Sequence, residues 1–236
     1  MKMPNRSVHL LTVFLFAAVY NYAAPTEEVL ARFDRAASSF HSMSAQFRQI
    51  SHTAVIDDDT EEHGTLVIHK AQEHDVRGVM EYVGADQRSI AIDRHTVQIY
   101  HPKTRSVQVY DLGKHGEQVV EFLLIGFGTS GKDLAANYHV RVVGEATVGS
   151  QKTTRLELIP KSADAQKYLT KVELWIPEGE GYPVQEKLYQ PSGDYTLVSY
   201  SDVKINPPLP KDAFELKLPK DVKYEHPQRD EPAAKD

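Results

Sequence analysis

The chain contains no cysteine. That excludes a disulfide framework, a thiolate nucleophile, cysteine-ligated zinc, an iron–sulfur cluster and a thioether lipid anchor. Positive charge is not in excess either: 27 Lys and Arg stand against 33 Asp and Glu, a formal net charge of −6, so nothing marks the chain for nucleic acid. No apolar run reaches the roughly 20 residues of a membrane-spanning helix. The uncharged stretch Val8 to Val19 is shorter, follows Lys2 and Arg6, and precedes Tyr22-Ala23-Ala24-Pro25. That order reads as a cleaved secretory signal over residues 1–24, with Tyr22 leaving the cut open between Ala23 and Ala24. What remains of 236 residues, 41% apolar and 25% charged over the whole chain, can bury a core without metal or disulfides.

Beyond the signal, Val29, Leu30, Phe33, Ala36, Ala37 and Phe40 recur at the spacing of one helical face, which predicts a helix from Thr26 to the Ser38-Ser39 region. Met43, Ala45 and Phe47 then alternate with polar residues as a strand does, and Asp57-Asp58-Asp59 reads as a loop. Short β-rich runs follow about every ten residues: Thr65–His69, Arg77–Tyr82, Arg88–Asp93, Thr96–Tyr100 and Ser106–Tyr110. The same texture returns at Tyr138–Glu145, Thr153–Ile159, Thr170–Ile176, Val184–Tyr189, Tyr195–Tyr200 and Asp202–Ile205. Such spacing leaves no room for crossover helices, so neighbours pair antiparallel. The expected fold is mainly β with α: a strongly curved antiparallel sheet of about eleven strands, an unclosed barrel, covered by helices that form a lid. In Thr170–Ile176 the parity Val172, Leu174, Ile176 is apolar and Lys171, Glu173, Trp175 is polar, which predicts one wet face. Trp175 and Tyr189 are therefore expected at the surface.

The strand series is interrupted at Glu117 to Phe127. Its second half is apolar on nearly all sides, and Gly113, Gly116, Gly128 and Gly131 flank it. A strongly apolar helix hinged by glycines over a hollow sheet reads as a lid, or as a plug that simply fills the barrel. Lys132 to Tyr138 is expected to form a short polar turn of helix.

Several motifs fail on context. Gly126-Phe127-Gly128-Thr129-Ser130-Gly131 matches the dinucleotide pattern in letters, but lacks the preceding strand, the long following helix and the parallel partner strand. His63, His69 and His74 lie near Glu61, Glu62, Glu73 and Asp75 without any compact zinc spacing, and read as a solvated rim. Asp93, His95 and His139 have no serine in a nucleophile elbow to act on. Nothing here predicts an enzyme, a cofactor or a metal.

The segment Tyr200 to Val222, with Phe214, Leu216 and Leu218 followed by Pro219 and Val222, resembles the ending of the outer-membrane lipoprotein carrier family (LolA-like). Phe40–Gln49 is similar to that family's first helix running into its first strand, and Gly64–Lys70 to its second strand. Ile92–Pro102 is similar to its hairpin, Phe122–Ile125 to its internal helix and Leu156–Lys161 to the end of a later strand. The likeness runs from about Thr26 to Val222. It implies one half-barrel domain over residues 25–222, with residues 223–236 as a charged, disordered tail.

The resemblance also implies a function. Such proteins are periplasmic monomers that shield the acyl chains of lipoproteins, or a similar amphiphile, between an inner-membrane ABC-type releasing complex and an outer-membrane acceptor, without cofactor or nucleic acid. The cavity would be lined by Leu30, Phe33 and Phe40 of the helix, and by Phe47, Leu66, Ile68, Met80, Tyr82, Ile90, Ile92, Val97 and Ile99 of the earlier strands. Leu156, Leu158, Val172, Leu174 and Leu188 of the later strands would complete it. Val119, Phe122, Leu123 and Phe127 would form the lid, occupying the hollow when no ligand does. Where family members carry Arg-Pro after the second strand, this chain has Lys70-Ala71, so either Lys70 or nearby Arg77 serves the gate, or the gate is held differently. The alternative is a module that senses lipoproteins or lipids and regulates an envelope signalling protein.

Overall fold

Helix α1 (Ala23–Ser39) is amphipathic, and Val29 and Phe33 on its inward stripe are buried. The computed structural model describes residues 23–72, 75–113 and 125–227. After α1 the chain forms β1 (Ser42–Thr53), β2 (Asp58–Gln72), β3 (Asp75–Val83), β4 (Arg88–Asp93), β5 (Thr96–His101) and β6 (Ser106–Asp111). Beyond the interruption come α2 (Gly131–Asn137), β7 (Tyr138–Val148), β8 (Gln151–Pro160), α3 (Ala163–Gln166), β9 (Lys171–Pro177), β10 (Gln185–Tyr189), β11 (Tyr195–Ile205) and β12 (Lys223–Glu225).

The strands form one sheet in the order β12-β6-β5-β4-β3-β2-β1-β11-β10-β9-β8-β7. Every pairing is antiparallel except β12 with β6. The terminal strands β12 and β7 do not pair with each other, so the curved sheet stays unclosed. β1 and β11 join its two halves.

Three local expectations change. The runs Tyr195–Tyr200 and Asp202–Ile205 are one strand, β11, interrupted by a bulge. From Ser44 to Gln46 β1 advances two residues while β11 goes from Lys204 to Ser201, and Asp202 holds a positive φ of 51°. The extra residue shifts the alternation, so Tyr200 and Ile205 both face inward. The aspartate run is a loop only as far as Asp57 (φ 49°); Asp58 and Asp59 already pair with Thr53 and His52. Finally, Lys223–Glu225, expected in a disordered tail, pair in parallel with Ser106, Val107 and Gln108.

The outer face is also drier than expected. Trp175 is 8% exposed, and Glu157 and Glu173 are buried. Arg141 donates to Glu157 at 2.6 Å, Lys171 to Glu173 at 3.1 Å and the Tyr189 hydroxyl to Glu173 at 3.0 Å. Long side chains on four adjacent strands, β7 to β10, cover one another there, which the parity of a single strand does not reveal. Elsewhere on this face, Phe214, Leu216 and Leu218 of the segment after β11 border Ala91, Thr96 and Gln98 of β4 and β5.

Candidate functional site

Two buried clusters share the inner face of the sheet. The first contains Phe40, Phe47, Leu66, Ile68, Tyr82 and Phe127, with Met80 and Ile90 packed against it. The second contains Phe33, Leu156, Leu158, Val172 and Leu174, with Leu30 and Leu188 at its margin. Of the remaining expected cavity residues, Ile92 is buried, and Val97 and Ile99 are half-buried on the inward parity of β5. Val119, Phe122 and Leu123 lie outside the described residues. The inward parity of the strands thus assembles most of the expected residues on one surface.

That surface is filled, not hollow, wherever α1 and the segment before α2 lie on it. Helix α1 seats Phe33 in the second cluster beside Ile125 and Leu134. The fit is close: a Cβ on Gly131 would fall 2.1 Å from the Leu30 carbonyl oxygen, and one on Gly181 2.4 Å from that of Arg32. The short helix α2 is consequently not polar throughout, since Leu134 is fully buried. Its N-terminus is capped by Ser130, which accepts from the Asp133 amide at 3.0 Å.

Phe127 is the inserted side chain. It is 1% exposed, edge-on to Tyr200 at 5.1 Å and stacked with Tyr182 at 6.1 Å. Gly126 and Gly128 on either side have φ of 84° and 76°, a conformation that glycine adopts without a steric penalty. At Gly128 a Cβ would also lie 2.5 Å from the Phe40 ring. The ammonium of Lys70, on the inward parity of β2, donates to the Gly128 carbonyl at 2.9 Å. Arg77 occupies the opposite parity and pairs with Asp93 at 3.5 Å. Of the two residues named for a gate, Lys70 therefore makes the bond to the Phe127 turn. Above that turn lies an open groove of about 450 Å³, bordered by Arg32, Arg35, Phe40, Phe127, Glu180 and Tyr182.

Sequence reasoning missed the polar residues of the inner face. Glu186 pairs across strands with Leu174 and Val198 and is buried. The Tyr200 hydroxyl donates to its Oε1 at 2.5 Å. Burial pushes the Glu186 carboxyl up to about 7, although the bond from Tyr200 pulls the other way, and burial also raises the Tyr200 phenol. Nearby, Tyr82 donates to Gln49 at 3.3 Å, and Arg88 lies over the Tyr82 ring while binding both oxygens of Glu62. The one signal available was parity: Glu186 falls in step with Leu188, within a run otherwise read as apolar inside.

The histidine cluster does not form a site in the described region. His63 is exposed, His69 packs against Phe214 at 5.6 Å, and His74 lies outside the described residues. Among the described residues no group of three or more His, Asp or Glu is placed to hold a metal. The glycine motif at 126–131 is a turn leading into a seven-residue helix.

A search of curated proteins found no sequence relative. Among solved structures, an uncharacterized conserved protein from Thermus thermophilus matches with a TM-score of 0.51 and 12% identity, over 86% of this chain and 99% of that one. MucB matches with a TM-score of 0.50 and 15% identity, over 82% of this chain and 63% of its own length. A putative outer membrane lipoprotein-sorting protein domain from Vibrio parahaemolyticus is similar at a TM-score of 0.44 and 13% identity, over 80% and 97%. At these identities the likenesses concern the fold. The sequence itself goes further: the model of the family described as outer membrane lipoprotein carrier protein LolA matches residues 38–217, from the end of α1 to the segment beyond β11, and the chain belongs to that family.

Proposed function

We propose that this protein is a periplasmic carrier, exported through a cleaved signal, that shields the acyl chains of lipoproteins or of a similar amphiphile between the inner and outer membranes. The observation that carries this reading is Phe127. A large aromatic side chain sits in the inner face of the sheet on a turn with glycine on both sides, and Lys70 donates a hydrogen bond to that turn. Removed, it would expose Phe40, Phe47, Ile68 and Tyr200, next to the half-buried Met80 and Ile90. The hollow expected from sequence is thus occupied by the protein's own side chains in this state, and an incoming chain takes their place.

The energetics favour such an exchange. Each buried methylene contributes about 0.8 kcal/mol, so an acyl chain of roughly sixteen carbons left in water costs on the order of 10 kcal/mol. Refilling the space with Phe127 recovers part of that when the ligand departs, which keeps release possible. No covalent step is needed. An ABC-type releasing complex in the inner membrane and an acceptor at the outer membrane are the partners this role requires, with the carrier acting as a monomer.

Purification from the periplasm followed by mass spectrometry of bound material tests the proposal. Copurification of acylated protein or lipid, released on delivery to outer-membrane vesicles, is the expected result. A preparation free of any amphiphile, and unable to take one up, would overturn it. A module that senses lipoproteins or lipids for an envelope signalling protein would bind the same ligand but would not deliver it.

A further inference from the structure

We infer that Glu186, with Tyr200, selects the polar end of the ligand, favouring a neutral headgroup that donates hydrogen bonds over an anionic one. This rests on the carrier reading and adds a specificity-determining residue to it.

Glu186 lies in a register row that crosses the inner face: Glu62 of β2 stands opposite Gln49 of β1, Gln49 opposite Val198 of β11, Val198 opposite Glu186 of β10, and Glu186 opposite Leu174 of β9. The row brings three polar side chains, Glu62, Gln49 and Glu186, to the inner face, with Val198 between Gln49 and Glu186. Tyr200, beside the row, carries on one side the bond to Glu186 and on the other the edge contact with Phe127. Withdrawal of Phe127 would uncover the pair.

The row is short of donors. Glu186 Oε1 is satisfied by Tyr200, whereas among the described residues no group donates to Oε2. The carboxamide of Gln49 accepts from Tyr82 and donates to Ser51. Positive charge is already committed: Arg88 is held by both oxygens of Glu62, and Lys70 by Gly128. A hydroxyl or amide N–H brought in with an acyl chain would meet a waiting acceptor. A carboxylate or phosphate brought against Glu186 would meet a like charge in surroundings of low dielectric, whereas Arg32 and Arg35 border the groove above the Phe127 turn. A carboxyl kept in an apolar interior costs folding stability, and recognition of a donor accounts for its place there.

Calorimetric titration of the mature protein at pH 8 tests this with three probes that share a twelve-carbon tail: laurate, monolaurin and dodecanamide, each below its micelle concentration. Wild type should bind the two neutral probes at least about tenfold more tightly than laurate. A neutral head leaves water more readily whatever the protein, so the decisive quantity is the change on substitution. Glu186→Gln should bring laurate to within about threefold of monolaurin, by tightening laurate binding rather than weakening the other. If Glu186→Gln does not melt cooperatively, Glu186→Met serves for the same comparison. An unchanged ratio in a folded variant would overturn the inference and leave the carrier reading standing. Failure of wild type to bind any of the three would overturn both.

Discussion

Lys70 and Gly128 are 58 positions apart in sequence and are joined by a single 2.9 Å hydrogen bond from the lysine ammonium to the glycine carbonyl. The bond connects the inward face of β2 to the turn that carries Phe127. An ammonium on a backbone carbonyl is a charge-assisted bond, stronger than one between neutral groups.

Substituting Lys70 with Met should loosen that turn without disturbing the sheet. A stability loss of about 1–2 kcal/mol is expected, together with faster amide exchange at residues 126–130 and little change in β1 or β2. Lys70→Arg retains the donor and should restore much of the protection. Exchange read by mass spectrometry checks both; equal protection in all three proteins would show that the bond does not hold the turn.

Phe127→Ala separates stability from capture. Removing a fully buried ring should cost about 3–5 kcal/mol in thermal or urea unfolding. If the ring competes with a ligand for the same space, affinity for a long-chain probe should rise in the same variant. A loss in both measurements would mean that Phe127 is purely structural.

The Glu186 carboxyl gives a signed dependence on pH. Its folded value, about 7, lies above the ordinary carboxylate range because of burial. Between the two values the folded state therefore binds more proton than the unfolded chain. The stabilising contribution is complete below the ordinary carboxylate range and is lost as pH rises through about 7, by at most about 3 kcal/mol. The melting temperature of wild type relative to Glu186→Gln should fall between pH 5 and pH 8. A difference that stays flat across that window would refute the assignment.

Gly131→Ala should be among the most damaging small substitutions. Its Cβ would fall 2.1 Å from the Leu30 backbone oxygen, so α1 and α2 must separate and the Leu134 contact opens. A loss of at least about 2 kcal/mol is expected, whereas the same change at Gly84, where nothing lies within 4 Å, meets only backbone strain. Paired urea titrations make the comparison.

The alternation of apolar residues was enough to place the strands and to put Leu156, Leu158, Val172 and Leu174 on one surface, because a period of two is read directly from a half-buried strand. Reading failed where the third dimension decides. Trp175 shares a parity with Lys171 and Glu173, yet Trp175 and Glu173 are buried among neighbours on β8 and β10, and Lys171 is half-buried beside them. Lys70 showed the right residue type, but only the fold brings it to Gly128. Glu186 drew no reading from the sequence, because one charged letter among apolar ones carries no label for the side it faces. Phe127 was expected to fill the interior of the empty protein, and it is buried there; that a turn between two glycines carries it was not legible.

The surplus residue at Asp202 writes β11 in two frames. Tyr200 on one side and Ile205 on the other turn the same way only because one extra position separates them. Deleting Asp202 would therefore act as a frameshift in space: every side chain from Val203 onward would swap sides, and a loss of one amino acid would do more harm than several replacements around it.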